Sequence, residues 1–198
     1  PVQRNPNGDL QLISRVYNLQ GKRMEFERSM KILSEYDVDK EAWFFRENSH
    51  PNLMPYSVMM EIALQPCGFI STHSGAILTR PDLNLHYRNL DGFGNLLSCP
   101  DLNDKIILNE VELLSTVSSG DTIIQTHRFS LICDGEKFYM GETVFGYFTE
   151  DALANQVGLD MNLFIIDITH TDDEEETHIF INSTIIDIYG DKEEFQEG

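Results

Sequence analysis

Basic residues are scarce in this chain of 198 residues. It has 14 lysines and arginines against 33 aspartates and glutamates, which gives a formal net charge of −19. Nucleic acids and anionic membrane surfaces carry the same sign of charge and would repel it. The composition therefore argues against both as partners, and it favours solubility and a basic docking partner.

Cysteine is also sparse, and the spacing of the cysteines is uninformative. Cys67, Cys99 and Cys133 are an odd set with no close pair, and no zinc-binding pattern surrounds them. This usage is typical of free thiols in a reducing cytosol rather than of a disulfide framework. We therefore expect a cytoplasmic protein with no bound metal.

Long apolar runs are absent as well. A membrane-spanning helix needs about 18 or more apolar residues, and the best candidate is broken by Glu61, Gln65 and Pro66. No signal-peptide pattern is present. The chain begins at Pro1 rather than at a methionine, so we expect it to be part of a longer protein.

The hydrophobic residues that are present make up 41% of the chain, enough for one good core. We predict a single domain over residues 10–190, with a loose lead-in over residues 1–9 and a linker over residues 191–198. Residues 163–169 and 178–189 are apolar enough to form late strands. The acidic tract between them, residues 172–176, is typical of a solvated loop, with a metal or basic-partner site as the minority interpretation.

The centre of the fold is predicted at residues 56–78, which are apolar or small on nearly every face of a helix. Ser57, after Pro55, is a candidate N-cap, and Pro66 is expected to interrupt and kink the helix. Glu61 and Gln65 are the polar exceptions, one turn apart on one face. Burial of a carboxylic acid favours its protonated form, so Glu61 is a candidate general acid, with Gln65 orienting it.

Strand patterns flank this helix on both sides. Turns are expected at Gln20-Gly21 and at Asp134-Gly135, the latter a strong hairpin signal, and a loop at residues 91–94. Short helices are expected over residues 37–45 and 149–157. We predict an α+β fold with a sheet curled about the helix, its strands lying at residues 10–19, 23–33, 83–90, 106–117, 122–133 and 137–148.

The helix and its entrance resemble the hot-dog-fold β-hydroxyacyl-ACP dehydratases of fatty-acid and polyketide synthesis. The matching frame is the aromatic group at residues 43–45, Met54-Pro55, Glu61 at the catalytic acid position, Gln65 four residues later and Gly68-Phe69. PYSVMMEIALQPCGF, LNLHYRNLDG and GETVFGYFTEDALANQVGL resemble dehydratase-type regions of polyunsaturated fatty acid synthases and iterative polyketide synthases. The resemblance covers about residues 15–160.

This resemblance implies a curved antiparallel sheet wrapped around a long helix, and removal of water from a 3-hydroxyacyl thioester. It implies no cofactor, because the substrate arrives on the phosphopantetheine of an acyl carrier protein. A histidine would remove the α-proton, the acid would assist departure of the hydroxyl, and amides at the helix N-terminus would hold the thioester oxygen. The implied partners are that carrier protein and a second hot-dog domain, in tandem or as a dimer.

The chain departs from the family pattern at the helix entrance. Asn48 occupies the position of the family histidine, His50 lies two residues later as a weaker candidate base, and Tyr56 replaces a glycine of the family turn. Gln65, Asn48, Tyr56 and Ser57 are the candidate substrate-binding residues. Two alternatives stay open, a non-catalytic hot dog that serves structure or carrier-protein docking, and a hot-dog thioesterase.

Overall fold

The computed structural model describes residues 4–48, 50, 53–155, 167–169, 176–181 and 184–189. Where the sequence predicted one domain over residues 10–190, the chain groups into two compact units, Pro1–Leu153 and Ala154–Gly198. The predicted linker at residues 191–198 and the first three residues of the lead-in lie outside the described residues.

The first unit is built on a six-stranded antiparallel sheet with strand order β1-β2-β4-β5-β6-β3. Helix α2 packs on this sheet through β2, β4 and β5. The predicted α+β arrangement of an antiparallel sheet around a central helix is confirmed. The strands are β1 Arg15–Gln20, β2 Met30–Asp37, β3 Leu85–Leu96, β4 Ile106–Ser119, β5 Thr122–Cys133 and β6 Glu136–Thr149.

Turn chemistry explains where the strand predictions were correct and where they were wrong. Asp134 and Gly135 both have positive φ, 51° and 85°, and they join β5 to β6 in the predicted hairpin. Gln20-Gly21 is not a tight turn, because residues 21–29 separate β1 from β2. The predicted loop at residues 91–94 is part of β3, where Gly94 lets β6 approach closely: a Cβ there would lie 2.0 Å from the Tyr139 hydroxyl oxygen.

Helix α2 spans Tyr56–Ser74 and ends earlier than predicted. Gly75 adopts the left-handed conformation with φ 79°, which stops the helix, and a short 3-10 turn follows over Ala76–Thr79. The N-cap is Pro55, and no side chain caps the first turn, so the prediction of Ser57 as a cap was wrong. The helix is also not buried on every face, since Tyr56, Met60 and Phe69 are exposed.

Pro66 lies inside α2 without interrupting it. Proline has no N–H, so the carbonyl of Ile62, four residues earlier, loses its usual helical donor. The buried Asn109 of β4 replaces that donor: its Nδ2 lies 3.0 Å from the Ile62 carbonyl oxygen and 3.2 Å from that of Ala63. A side chain of the sheet therefore supplies the hydrogen bond that the helix lacks.

The main core lies between α2 and the inner face of the sheet. Helix α1, Trp43–Arg46, adds Phe44 and Phe45 to it, each 2% exposed, as expected of the aromatic cluster. It is shorter than the predicted helix over residues 37–45, because Asp37 belongs to β2. Helix α3, Glu150–Ala154, is capped by Thr149, whose hydroxyl oxygen accepts the Ala152 N–H at 3.2 Å.

The second unit contains a three-stranded antiparallel sheet in the order β7-β8-β9. Its strands are β7 Asp167–Thr169, β8 Glu176–Ile181 and β9 Thr184–Tyr189. Of the acidic tract, Glu176 begins β8, and residues 172–175 lie outside the described residues. Among the described helices of both units, none combines the length and the apolar character that crossing a membrane requires.

Candidate functional site

Glu61 lies on the exposed side of α2, where the sequence predicted a buried acid. The helix turns this position away from the core, while its neighbours Ile62 and Ala63 are buried at 1% and 0% exposure. The first unit therefore does not bury this acid as the sequence predicted. Its carboxylate instead accepts a hydrogen bond from Gln65 Nε2 at 3.4 Å, across one helical turn.

Gln65 is buried, and both ends of its amide are engaged by the N-terminal segment of the chain. Its Oε1 accepts the Leu12 N–H at 2.9 Å, and its Nε2 donates to the Leu10 carbonyl at 2.8 Å. The Asn5 side chain adds a bond to the Gln65 backbone carbonyl at 3.1 Å. Gln65 thus fastens residues 5–12 across the middle of α2 and reaches Glu61 only through the longer contact.

Glu61 and Gln65 border a cleft of about 460 Å³ between α2 and β3. Leu64 and Gly68 of the helix form one wall, and the fastened N-terminal segment contributes to the rim. The opposite side carries Tyr87, whose ring stacks on Phe145 with centroids 4.7 Å apart and planes 3° from parallel. We call this space the main cleft. Its remaining lining residues are Arg4, Asn5, Pro6, Leu85, His86 and Asn89.

His86 lines the main cleft together with its strand neighbours Leu85 and Tyr87. Its neighbour Leu85 is buried, and Tyr87 reaches Ser71 of α2, so both face inward. Successive side chains of a strand point to opposite faces, which places the His86 imidazole on the outer face of the sheet. The same alternation places Asn89 inward, where its Nδ2 donates to Thr143 at 2.7 Å.

The two entrance residues lie apart from the main cleft. Asn48 is half-buried, and its Nδ2 donates to the carbonyls of His50 and Leu53 at 3.2 and 3.1 Å, so it organises the loop before α2. His50 is exposed in that loop. Neither residue borders the main cleft, and the structure does not bring His50 together with Glu61 there.

Tyr56, the first residue of α2, lies at a second and smaller cavity of about 170 Å³. Its hydroxyl is 3.1 Å from that of Tyr139 and 3.3 Å from the Gly94 carbonyl, and the two rings meet edge to face. Burial and the hydrogen bond to Tyr56 raise the pKa of Tyr139. We call this space the small chamber. Ser57, next to Tyr56, is exposed and borders neither cavity.

A polar chain that the sequence did not indicate lies beneath the main cleft. The Ser71 hydroxyl is 2.8 Å from the Tyr87 hydroxyl and 2.8 Å from His127 Nε2. Burial lowers the pKa of His127 to about 3, so its imidazole is neutral at physiological pH. Burial also raises the pKa of Tyr87. Inward alternation in the predicted strands could have identified Tyr87 and Asn89, whereas the meeting of Ser71 with His127 depends on tertiary packing.

Comparison with known proteins gives a match in sequence to a large synthase. The chain is 30% identical over 167 residues to a polyunsaturated fatty acid synthase polypeptide of Thraustochytrium sp., and the match covers 80% of this chain and 11% of that protein. The chain therefore corresponds to a small part of this relative. No family model matches it.

Solved structures share the fold at low sequence identity. The dehydratase heterocomplex ApeI:P from Xenorhabdus doucetiae superimposes with a TM-score of 0.53 at 13% identity, covering 76% of this chain and 93% of that chain. A hypothetical thioesterase with coenzyme A from Streptococcus pneumoniae gives a TM-score of 0.44 at 11% identity, covering 71% and 91%. The sheet order and the central helix agree with the fold of the first of these structures: the chain is a hot-dog domain, similar in sequence to a segment of a polyunsaturated fatty acid synthase.

Proposed function

We propose that this domain takes part in removing water from 3-hydroxyacyl thioesters carried on the phosphopantetheine of an acyl carrier protein. The observation that carries the proposal is the Glu61 carboxylate at the border of the main cleft, with Gln65 at 3.4 Å. Two proteins that are similar to this chain support the proposal: one is described as a polyunsaturated fatty acid synthase and the other as a dehydratase heterocomplex. The setting would be a fatty-acid or polyketide multienzyme in the cytoplasm.

The reaction needs an acid and a base on a bound substrate. A base takes the α-proton, the Cα–Cβ double bond forms, and the Cβ–O bond breaks as the hydroxyl leaves with a proton from the acid, giving water and an enoyl thioester. Glu61 is the candidate acid. The sequence offered the backbone N–H groups at the start of α2, at Tyr56 and Ser57, as donors to the thioester oxygen, but neither residue borders the main cleft.

The candidate base His50 does not border the main cleft. Among the described histidines, His86 borders the main cleft at β3, where strand alternation turns its side chain to the outer face of the sheet. His127 is buried below the cleft and bonded to Ser71. We therefore assign the base to a second hot-dog domain that completes the site.

Strand β3 offers the place for that second domain. It is the last strand of the sheet, so one of its sides pairs with no strand in the described part of the first unit. Leu90, Phe93 and Leu96 are exposed along it, at 44%, 57% and 40%. An unpaired edge with exposed apolar side chains is a template for pairing with another chain. A partner seated there would cover Glu61 and exclude water from the cleft.

The test compares the domain alone with the domain assembled with a hot dog that carries the histidine. The substrate is a 3-hydroxyacyl thioester on a carrier protein, and enoyl product and free acid are both measured. We expect turnover only in the assembly and a loss of about 100-fold or more with Glu61→Gln, the contribution of a general acid. Glu47→Gln, an exposed acid outside the cleft, is the matched control and should retain full activity.

Two other outcomes would overturn the proposal. If Glu61→Gln leaves the output of the assembly unchanged, the domain is a non-catalytic hot dog that serves structure or carrier-protein docking. The engagement of Asn48 with loop carbonyls favours this alternative, because the family base is missing there. If free acid forms without enoyl product, the domain is a thioesterase.

A further inference from the structure

The outer face of the sheet, on the side away from α2, carries a further cavity. Ser130 of β5 lies at its base and points outward, because its strand neighbours Phe129 and Leu131 belong to the core. Ser130 is nevertheless only 6% exposed. A small side chain among long charged ones leaves a depression, and the space above it measures about 470 Å³. We call this space the outer pocket.

A row of alternating charges crosses the outer face beside Ser130. The strand register places Lys31 of β2 opposite Glu112 of β4, and Lys31 Nζ lies 3.4 Å from Glu112 Oε1. Arg128 of β5 is next in the row, opposite both Glu112 and Glu142 of β6. Its Nη2 lies 2.7 Å from Glu142 Oε1. The four charges of this row therefore compensate one another.

Two charges of the outer pocket lie outside this row. Glu110 of β4 and Lys137 of β6 line the pocket and are exposed, and neither forms an ion pair with another described residue. The hydroxyl of Ser130 likewise has no hydrogen-bond partner among the described residues, although Ser130 is buried. A buried hydroxyl normally has such a partner. The pocket thus presents an anion, a cation and a hydroxyl that can each bind a further group.

The positions of the two charges set the size of a matching ligand. Glu110 lies opposite Ser130, and Lys137 lies opposite Ile132, two residues further along β5. Two strand spacings of about 4.8 Å and an offset of about 6.8 Å separate the two positions by about 12 Å. Strand side chains stand roughly perpendicular to the sheet, so the charged ends keep that separation. Two charge-assisted hydrogen bonds of about 2.8 Å each leave about 6 Å between the charges of the ligand.

We propose that the outer pocket binds a small zwitterion, with its ammonium group at Glu110 and its anionic group at Lys137. The ammonium group donates to the Glu110 carboxylate and to the hydroxyl oxygen of Ser130, which are cross-strand neighbours. Asn18 and Gln20 of β1 border the pocket on its far side, where their amides can bind the anionic group or the backbone of the ligand. The outer pocket shares no described lining residue with the main cleft, so this proposal does not depend on the proposed function.

The experiment titrates unbranched ω-amino acids, from glycine to ω-aminocaprylate, into the isotope-labelled full chain and follows backbone amide shifts by NMR. We expect affinity to be highest near δ-aminovalerate, whose extended chain matches the separation of the two charges. Valerate and pentylamine, which each lack one charge, should bind about fivefold more weakly, the contribution of one ion pair near the surface. The largest shifts should surround Ser130. Absence of binding, affinity independent of chain length, or equal binding of the singly charged analogues would overturn the proposal.

Substitutions of the two charges test each end of the ligand separately. In Glu110→Gln, δ-aminovalerate should bind no better than valerate, and in Lys137→Gln it should bind no better than pentylamine. Ser130→Ala should weaken δ-aminovalerate and pentylamine and leave valerate unchanged. Glu136→Gln and Lys22→Gln, at exposed residues that do not line the outer pocket, are the matched controls and should keep the wild-type affinities. A preference for the zwitterion that persists in both Glu110→Gln and Lys137→Gln would also overturn the proposal.

Discussion

The buried His127 makes the stability of the first unit sensitive to acid. Its pKa is about 3 in the folded chain because of burial, against about 6.5 when unfolded. A lowered histidine pKa means that the unfolded chain binds the proton first, so stability falls as the pH drops below about 6.5. Between pH 7 and pH 5 this residue alone should cost about 2 kcal/mol of unfolding free energy.

His127→Gln tests this cause. The variant should lose less stability between pH 7 and pH 5 than the wild type, as measured by urea unfolding at each pH. His86→Gln, at an exposed histidine, is the control and should keep the full loss. Equal pH dependence in wild type and His127→Gln would contradict the assignment of this effect to the buried imidazole.

Gln65 controls the N-terminal segment through two hydrogen bonds. Gln65→Leu removes the acceptor of the Leu12 N–H and the donor to the Leu10 carbonyl. We expect amide hydrogen exchange at Leu12 to accelerate about tenfold, the equivalent of one lost hydrogen bond. Gln11→Leu is the control, because that side chain is exposed and its amide donates to the Ile13 carbonyl rather than to the helix. Unchanged protection at Leu12 in Gln65→Leu would show that packing alone holds the segment.

The spacing of Glu61 and Gln65 was predictable, and their environments were not. A separation of four residues on a helix puts both side chains on one face, and the structure shows them 3.4 Å apart. Whether that face is buried depends on distant parts of the chain. The partners of Gln65 lie 53 and 55 residues earlier in the sequence, and they cover Gln65 while leaving Glu61 exposed.

The continuity of α2 depends on a side chain from the sheet. Asn109→Ala leaves the Ile62 carbonyl without its donor in a buried setting, and we expect a loss of about 1–3 kcal/mol in unfolding free energy. In a Pro66→Ala background the residue 66 N–H is restored, so the same substitution should cost less. Urea unfolding of the four proteins of this double-mutant cycle gives the coupling.

The control for this cycle is Asn95→Ala, at an exposed asparagine of β3, which should change stability by no more than about 0.5 kcal/mol. Equal losses on substituting Asn109 in the presence and absence of Pro66 would show that the amide contributes through packing and not through the missing helical bond.

Elements with local turn chemistry were predictable, and those shaped by tertiary contact were not. The hairpin at Asp134-Gly135 needs positive φ at two adjacent residues, and an Asp-Gly pair in a sequence favours that conformation. The glycines of β3 follow one another closely in the sequence, as glycines in loops do, and they therefore predicted a loop. Gly94 is needed instead because the Tyr139 side chain of β6 lies too close for a Cβ there, a contact that the sequence of β3 does not show.

Assembly through the edge of β3 is testable for the molecule as a whole. Phe93→Lys places a charge on the unpaired edge, a device that prevents strand addition. We expect it to weaken association with a second hot dog at least tenfold in analytical ultracentrifugation, with the fold retained. Val117→Lys is the matched control, since Val117 in β4 is equally exposed, at 57%. Equal affinities of the two variants would place the interface elsewhere.

The pairing of Pro66 with Asn109 also constrains how such a chain can change over generations. A proline introduced at position 66 before the asparagine was in place would leave the buried Ile62 carbonyl without a hydrogen-bond donor. An asparagine introduced first would face a helix whose backbone hydrogen bonds are already complete. Its buried amide would then lack a partner and destabilise the fold until the proline was introduced. Either first step passes through a less stable ancestor, so the two positions should be gained or lost together across descendants.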